Sequence, residues 1–195
     1  WRSYELGNEI KDPELNSEIM IGILGCGYLG TFVGNTLCKL GYNVQGFKNS
    51  RNDRKYNFKI FYKKSELNHF IKSSNIIVSL LPSTKDTNQI INKDFLSYMK
   101  KESLLINVGR GISINENDLI FHLKENKYFY ASLDVFQEEP LPKKHKFWSI
   151  KNLTITPHVA SNTVITSAID YIYLRYLEFT KNKKIKSDVD LKKGY

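Results

Sequence analysis

The chain has few of the features that mark membrane proteins or disulfide-stabilised proteins. Its two cysteines, Cys26 and Cys38, are too few for a disulfide framework, which fits a reducing compartment. No apolar run approaches the roughly 18 residues that a membrane-spanning helix needs. No signal-peptide pattern precedes the first apolar segment. We therefore predict a cytoplasmic protein without a membrane partner.

The chain begins with Trp1 instead of methionine and contains 195 residues. That length predicts one domain, or slightly more than one, with a sizeable buried core. We expect the complete protein to include a segment that precedes Trp1.

Positive charge is concentrated in two segments. The chain has 29 basic and 20 acidic residues, and residues 46–64 and 181–193 carry net charges of +6 and +4. Lysine outnumbers arginine 24 to 5, and alanine occurs only three times, which indicates a compositional bias with lysines on solvated faces. We favour this interpretation, and therefore no nucleic-acid partner, although binding through the Lys-rich segments is the alternative.

Short apolar segments alternate with segments of helical periodicity. The predicted strands are 19–24, 43–47, 75–81, 103–108, 128–135 and 153–156. The predicted helices are 27–40, 65–73, 93–100, 115–127 and 162–180. Most of the strands lack polar–apolar alternation, which indicates a parallel sheet buried on both faces. The predicted fold class is α/β, a Rossmann-like doubly wound sheet with helices on both faces.

A glycine-rich turn joins the first predicted strand to the first helix. Gly25 permits a tight turn, Gly27 lets a pyrophosphate approach the backbone, and Gly30 lets helix and strand pack closely. The N–H groups of the helix N-terminus, which starts with Tyr28 and Leu29, favour phosphate. We therefore predict a dinucleotide site. We interpret Cys26, within the turn, as a small buried residue without a chemical role.

The end of the second strand bears on the choice of coenzyme. An NAD site usually has an acidic residue there, which accepts hydrogen bonds from the ribose. This chain has Lys48, Asn49, Ser50 and Arg51 instead. The two cations can pair with a 2′-phosphate, and the two polar side chains can donate to it. NADP(H) is therefore favoured, with NAD(H) as the alternative.

Further motifs follow the later predicted strands. They are Leu80-Leu81-Pro82-Ser83-Thr84 with Thr87, Asn107-Val108-Gly109-Arg110-Gly111, residues 134–142, residues 156–160, and the closing residues 189–195. At these residues the chain resembles the D-isomer-specific 2-hydroxyacid dehydrogenases, above all their glyoxylate/hydroxypyruvate reductase A branch. The resemblance extends over nearly the whole chain from Ile19.

The resemblance implies a catalytic triad of Arg110, Glu139 and His158. Arg110 has a planar, permanently charged group suited to a 2-keto acid, and His158 can donate and accept a proton. Glu139 is expected to hydrogen-bond His158, and Glu138 is the competing candidate. Among predicted coenzyme contacts, Asp134 is expected at the nicotinamide, with a structural role at the strand end as its alternative. The other predicted contacts are Leu81, Pro82, Thr87, Val108 and Gly109.

Two sets of side chains receive no functional role at this stage. His69, His122 and His145 are interpreted as surface residues, and no cluster has the spacing of metal ligands.

The implied function is transfer of a hydride from NADPH to a small 2-keto acid, glyoxylate or hydroxypyruvate, to give the 2-hydroxy acid. The alternatives are an NAD-dependent D-lactate or D-phosphoglycerate type of dehydrogenase and a nicotinamide-regulated, corepressor-like interaction protein. Measurement of NADPH oxidation in the presence of glyoxylate would distinguish an enzyme from an interaction protein.

The resemblance also implies a domain organisation and an oligomeric state. Residues 1–18 are predicted as a linker between two lobes, 19–180 as the dinucleotide-binding domain, and 181–195 as a tail that returns toward a substrate lobe. A homodimer is implied. Because the substrate lobe would precede Trp1, we expect this chain alone to bind NADPH but to reduce keto acids poorly.

Overall fold

A computed structural model of the chain describes residues 15–49, 54–161 and 163–183. Seven strands form one parallel sheet in the order β3-β2-β1-β4-β5-β6-β7. The strands are β1 Met20–Leu24, β2 Asn43–Phe47, β3 Lys59–Phe61, β4 Ile76–Ser79, β5 Leu104–Asn107, β6 Tyr130–Leu133 and β7 Leu153–Ile155. The helices are α1 Tyr28–Lys39, α2 Leu67–Ser73, α3 Lys93–Tyr98, α4 Glu116–Glu125 and α5 Ile165–Asn182.

Helices cover both faces of the sheet, as the two apolar clusters show. On one face Ile21 and Ile23 of β1 pack with Val33 and Leu37 of α1. On the other face the core contains side chains of α2, α3 and α4 with the opposite residues of the strands. Gly22 of β1 faces α2, and a Cβ at this position would clash with the side chains of Phe70 in α2 and of Ser74 directly after it. The predicted doubly wound α/β fold is confirmed.

The strand order reverses between β1 and β4. After β1 the chain adds β2 and β3 on one side, and it then crosses to add β4 through β7 on the other. The crevice beyond the carboxyl ends of the strands at such a switch point is where doubly wound sheets bind ligands. The loops that follow β1, β4, β5, β6 and β7 therefore lie at one edge of the sheet. These loops carry most of the residues that are predicted to bind the coenzyme or to act in catalysis.

The predicted elements differ from the observed ones mainly at their ends. Strand β3 was not predicted, because its three residues are too few for a periodic pattern and Lys59 at its start is exposed. The apolar stripe of α5 was predicted correctly as helical, but its side chains are exposed, and α5 has no buried residue. No helix in the described residues is long and apolar enough to cross a membrane. Most of the predicted linker and tail, 1–14 and 184–195, lies outside the described residues.

Candidate active site

The glycine-rich turn after β1 has the backbone geometry of a phosphate cradle. Gly25 has φ +102°, and a Cβ at Gly30 would lie 2.1 Å from the carbonyl oxygen of Gly25. Both positions therefore require glycine. A Cβ at Gly27 would meet no atom within 4 Å, so this backbone is open to a ligand. Helix α1 begins at the next residue, and exposed Tyr28 and Leu29 form its first turn. The residues present fit a dinucleotide pyrophosphate.

Cys26, which lies within this turn, has a buried and unreactive thiol. Its side chain is fully buried, and its Sγ donates to the carbonyl oxygen of Ile23 at 3.4 Å. Burial raises the pKa of the Cys26 thiol to about 12, although the charge of Lys48 acts in the opposite direction. A thiol with this pKa is almost wholly protonated at neutral pH, so the interpretation as a small buried residue fits the structure.

The end of β2 presents a basic side chain beside the glycine-rich turn. Lys48 Nζ donates to the Tyr56 hydroxyl at 3.4 Å, and that hydroxyl donates to the carbonyl oxygen of Cys26 at 3.3 Å. Asn49 follows Lys48 and is exposed. The predicted contacts Ser50 and Arg51 lie outside the described residues.

A second cation near this turn was not predicted. The guanidinium of Arg54 lies 5.6 Å from the ring centroid of Tyr28, over the first residue of α1. In the sequence, Arg54 lies in the same basic segment as Arg51. The spacing of these residues gave no indication that Arg54 lies near the glycine-rich turn.

The loops after β4 and β5 pack against each other at the sheet edge. A Cβ at Gly109 would lie 2.7 Å from the backbone nitrogen of Leu81, so a larger residue would separate the two loops. Thr87 is buried, and its hydroxyl donates to the carbonyl oxygen of Pro82 at 2.6 Å. Thr87 thus stabilises the turn after β4, and Pro82 and Val108, in the loops after β4 and β5, are half-buried.

Arg110 is exposed at the end of β5, and its neighbours fix its backbone. The side-chain amide of Asn107 and the hydroxyl of Ser113 both donate to the carbonyl oxygen of Arg110, at 3.2 and 2.7 Å. A Cβ at Gly111 would lie 2.0 Å from the backbone of Phe136. This glycine therefore lets the arginine loop touch the loop after β6, which carries Glu139.

The structure brings His158 and Glu139 into direct contact. His158 Nδ1 lies 2.7 Å from Glu139 Oε2, and the two side chains are 52% and 34% exposed. His158 adopts φ +54°, a left-handed conformation that is rare for residues with a Cβ and that directs its side chain from the loop after β7. Glu138, the competing candidate, is exposed.

The environment of Glu139 favours its ionised form. Burial alone would raise its pKa, but the hydrogen bonds from His158 and the Phe136 N–H, with the charges of His158 and Arg110, together lower the pKa of Glu139 below its ordinary value. The Phe136 N–H donates to the second carboxylate oxygen at 2.9 Å. A carboxylate beside a histidine fixes the ring orientation and stabilises the imidazolium form.

Asp134 is buried, and it ties the histidine loop to the end of β6. The backbone N–H groups of Val159 and Ala160 donate to its two carboxylate oxygens, each at 2.9 Å, and the Thr156 hydroxyl donates to one of them. Burial would raise the pKa of Asp134, but these three hydrogen bonds and the charge of His158 lower it. These contacts agree with a structural role for Asp134 at the end of β6. Contact of Asp134 with a nicotinamide stays a prediction.

Two histidines that were interpreted as surface residues have defined surroundings instead. His145 Nε2 lies 3.3 Å from Glu116 Oε2, and both side chains of this contact are largely buried. The ring of His122 packs on Phe129 at a centroid distance of 4.6 Å, and burial lowers its pKa. The surface interpretation is therefore wrong for both. In the part of the chain that is described, no three His, Cys, Asp or Glu residues cluster as metal ligands would.

The fold and the site together define a dinucleotide-binding domain with a histidine–carboxylate pair at the carboxyl edge of its sheet. Residues 6–160 match the family of the D-isomer specific 2-hydroxyacid dehydrogenases, NAD binding domain. The chain belongs to this family.

Individual relatives support the same assignment. The chain is 36% identical over 185 residues to glyoxylate/hydroxypyruvate reductase A of Photorhabdus laumondii, an alignment that covers 94% of this chain and 58% of that protein. The NADPH-dependent glyoxylate/hydroxypyruvate reductase of Sinorhizobium meliloti, solved with NADP and sulfate, is 28% identical with a TM-score of 0.89. The alignment covers 100% of this chain and 64% of that one.

A third relative is the D-isomer specific 2-hydroxyacid dehydrogenase of Xanthobacter autotrophicus, solved with NADPH and MES. It is 30% identical, with a TM-score of 0.89, over 100% of this chain and 80% of that one. The chain thus spans somewhat more than half the length of the curated reductases that it matches.

Replacement of Asp134 by asparagine is expected to destabilise the domain by about 1–3 kcal/mol at neutral pH, because asparagine lacks the charge and one of the two oxygens that accept the part-buried hydrogen bonds of Val159 and Ala160. The folded-state pKa of Asp134 is lowered, so its contribution is complete above the ordinary carboxyl pKa and is lost as the pH falls through the folded-state value. The difference in unfolding free energy between wild type and Asp134→Asn should therefore shrink in acid.

Urea unfolding at several pH values measures this difference. Asp86→Asn is the matched control, because Asp86 is exposed, and it should change stability little at any pH. Equal stability of wild type and Asp134→Asn at neutral pH would contradict the structural role of this carboxylate.

Proposed function

We propose that the protein reduces a small 2-keto acid, glyoxylate or hydroxypyruvate, to the 2-hydroxy acid with NADPH. The observation that carries the proposal is the 2.7 Å contact between His158 and Glu139 at the same sheet edge as the glycine-rich turn. An acid–base pair at a coenzyme site is what carbonyl reduction requires. The Photorhabdus relative is a glyoxylate/hydroxypyruvate reductase, which agrees with this reaction.

The glycine-rich turn and the neighbouring loops would hold the coenzyme. Gly25, Gly27 and Gly30 let the pyrophosphate approach the start of α1, and Leu81, Val108 and Gly109 border the crevice. When bound, NADPH supplies the hydride for the carbonyl carbon. The protein supplies position, charge and a proton.

Three side chains have distinct roles in this proposal. Arg110, a planar cation, binds the substrate carboxylate and polarises the carbonyl oxygen. His158 donates a proton to that oxygen as negative charge develops on it. Glu139, ionised because its pKa is lowered, holds the ring through Nδ1 and stabilises its charged form. This arrangement leaves Nε2 as the ring nitrogen for the substrate.

The preference for NADPH rests on the charge at the end of β2. Lys48 and Arg54 both lie beside the first turn of α1, and the first acidic residue after β2 in the sequence is Asp53. A 2′-phosphate favours such a basic environment, whereas a ribose diol favours a carboxylate acceptor. The Sinorhizobium and Xanthobacter relatives were solved with NADP and NADPH.

The whole protein's assembly and location are part of the same proposal. We expect a cytoplasmic homodimer that binds a small acid and no nucleic acid, and a second lobe that closes over the site and excludes water. These expectations, and the predicted domain bounds 1–18, 19–180 and 181–195, stay predictions.

A panel of 2-keto acids tested with NADPH and NADH, on the complete gene product, tests the proposed reaction. Glyoxylate or hydroxypyruvate with NADPH should give the highest kcat/KM. Higher efficiency with pyruvate or a phosphorylated keto acid and NADH would favour the D-lactate or D-phosphoglycerate alternative. Coenzyme binding without turnover of any keto acid would favour an interaction protein.

Replacement of Lys48 by alanine is expected to lower kcat/KM for NADPH by roughly tenfold or more, because a charged hydrogen bond to phosphate contributes about 1.5–3 kcal/mol. The value for NADH should change much less. Lys39→Ala, at the far end of α1, serves as the control and should leave both values unchanged. A parallel fall for both coenzymes in Lys48→Ala would contradict a specific role at the 2′-phosphate.

A further inference from the structure

The loop that carries Glu139 is held by two carboxylates in succession. The N–H of Phe136 donates to Glu139 Oε1 at 2.9 Å, and the N–H of the next residue, Gln137, donates to Glu116 Oε1 at 3.1 Å. Glu139 thus accepts a hydrogen bond from its own loop. Glu116, the first residue of α4, accepts a hydrogen bond from the next peptide of that loop but lies outside it.

Glu116 is itself held by a second histidine. Its other oxygen, Oε2, lies 3.3 Å from His145 Nε2, and the two side chains are only 17% and 22% exposed. On the opposite side of the ring, His145 Nδ1 accepts a hydrogen bond from the Phe147 N–H at 3.2 Å. Both oxygens of Glu116 and both ring nitrogens of His145 therefore have partners.

Two further contacts attach the same loop to the segment before α4. The side-chain amide of Gln137 donates to the carbonyl oxygen of Ile114 at 2.6 Å. Gly111 lies so close to Phe136 that a Cβ there would overlap its backbone. The chain from Arg110 to Glu116 and the loop from Phe136 to Glu139 are thus joined at three points, and Glu116 supplies the only one of the three that involves a carboxylate.

We propose that Glu116 is a positioning residue for the acid–base pair, with His145 as its support. By fixing the peptide of Gln137, Glu116 sets the placement of the adjacent Phe136 N–H and of Glu139, and so the orientation of the His158 ring. The proposal rests on the proposed function for its catalytic consequence. Its geometric content, that loss of Glu116 disturbs the contact between Glu139 and His158, can be measured without turnover.

The test compares three variants on helix α4. Glu116→Ala removes the acceptor of the Gln137 N–H, whereas Glu116→Gln keeps an oxygen at that place. Glu125→Ala removes an exposed carboxylate from the other end of the same helix and is the matched control. Nitrogen-15 NMR of the histidine rings, assigned with His158→Gln, reports whether His158 Nδ1 remains hydrogen-bonded. Steady-state kinetics of the complete gene product reports kcat and KM.

The expected result is loss of the His158 Nδ1 hydrogen-bond signal in Glu116→Ala and its retention in Glu116→Gln and Glu125→Ala. The value of kcat should fall roughly ten- to a hundredfold in Glu116→Ala, since small displacements of reacting groups have effects of this size. The dissociation constant of NADPH should stay unchanged, because Glu116 does not touch the glycine-rich turn. A role in stability alone would leave the ring signal intact in the folded variant.

An unchanged His158 ring signal in folded Glu116→Ala would overturn the proposal. If the signal is lost in Glu116→Ala while the wild-type protein reduces no 2-keto acid, the positioning role stands and the proposed function fails. His145→Asn gives a second test. Asparagine keeps an acceptor for the Phe147 N–H but cannot reach Glu116, so this variant should weaken the same signal without the loss of the turn at 146–149 that His145→Ala would cause.

Discussion

The carboxylate of Asp134 is the contact on which the geometry of the site depends. It is buried at the end of β6, and it accepts hydrogen bonds from the Thr156 side chain and from two N–H groups of the loop that follows β7. The His158 N–H also donates to the carbonyl oxygen of Asp134, at 2.9 Å. These bonds hold His158 in a left-handed conformation that would otherwise be costly. Without them the ring would have no fixed direction toward Glu139.

The carboxylates of Asp134, Glu116 and Glu139 have two roles in the site, to fix loops and to contact His158. Asp134 accepts hydrogen bonds from two backbone N–H groups, and Glu116 accepts one from the Gln137 N–H, so both fix loops. Glu139 accepts one such bond and uses its other oxygen for His158, so it connects the loop to the chemistry. All three lie on loops or helix starts that follow parallel strands. The sheet brings them together because the carboxyl ends of parallel strands meet at one edge.

Much of the fold could be predicted from the sequence because buried parallel strands are continuous apolar runs. The turn from Gly25 to Gly30 was predictable for a related reason, since each glycine meets a steric requirement that has a known spacing. The exposed edge strand β3, at Lys59–Phe61, lacks such a run and was not predicted. Side-chain pairs are harder, because a contact such as that of Glu116 with His145 depends on how two distant loops meet. Spacing carries no signal for it.

The residues at the reacting end were predicted from the family motif more than from physical chemistry. Residue chemistry left Glu138 and Glu139 as alternatives, and the family motif favoured Glu139, which is the carboxylate that contacts His158 in the structure. For Asp134, both a structural and a coenzyme role were open, and the observed hydrogen bonds account for the structural one. The predicted coenzyme contacts Ser50 and Arg51 lie outside the described residues, so the proposed preference for NADPH rests on Lys48 and Arg54.

In the proposed reaction, an ionised Glu139 stabilises the charged form of His158 while the keto acid is reduced. The most direct measurement is the pH profile of reduction with NADPH for wild type, Glu139→Gln and Glu138→Gln of the complete gene product. Loss of the negative charge beside the ring should move the kinetic pKa of Glu139→Gln downward. Glu138→Gln, which alters an exposed neighbour, should leave the profile unchanged. A Glu139→Gln profile that matches wild type, or a shift in Glu138→Gln instead, would contradict the account.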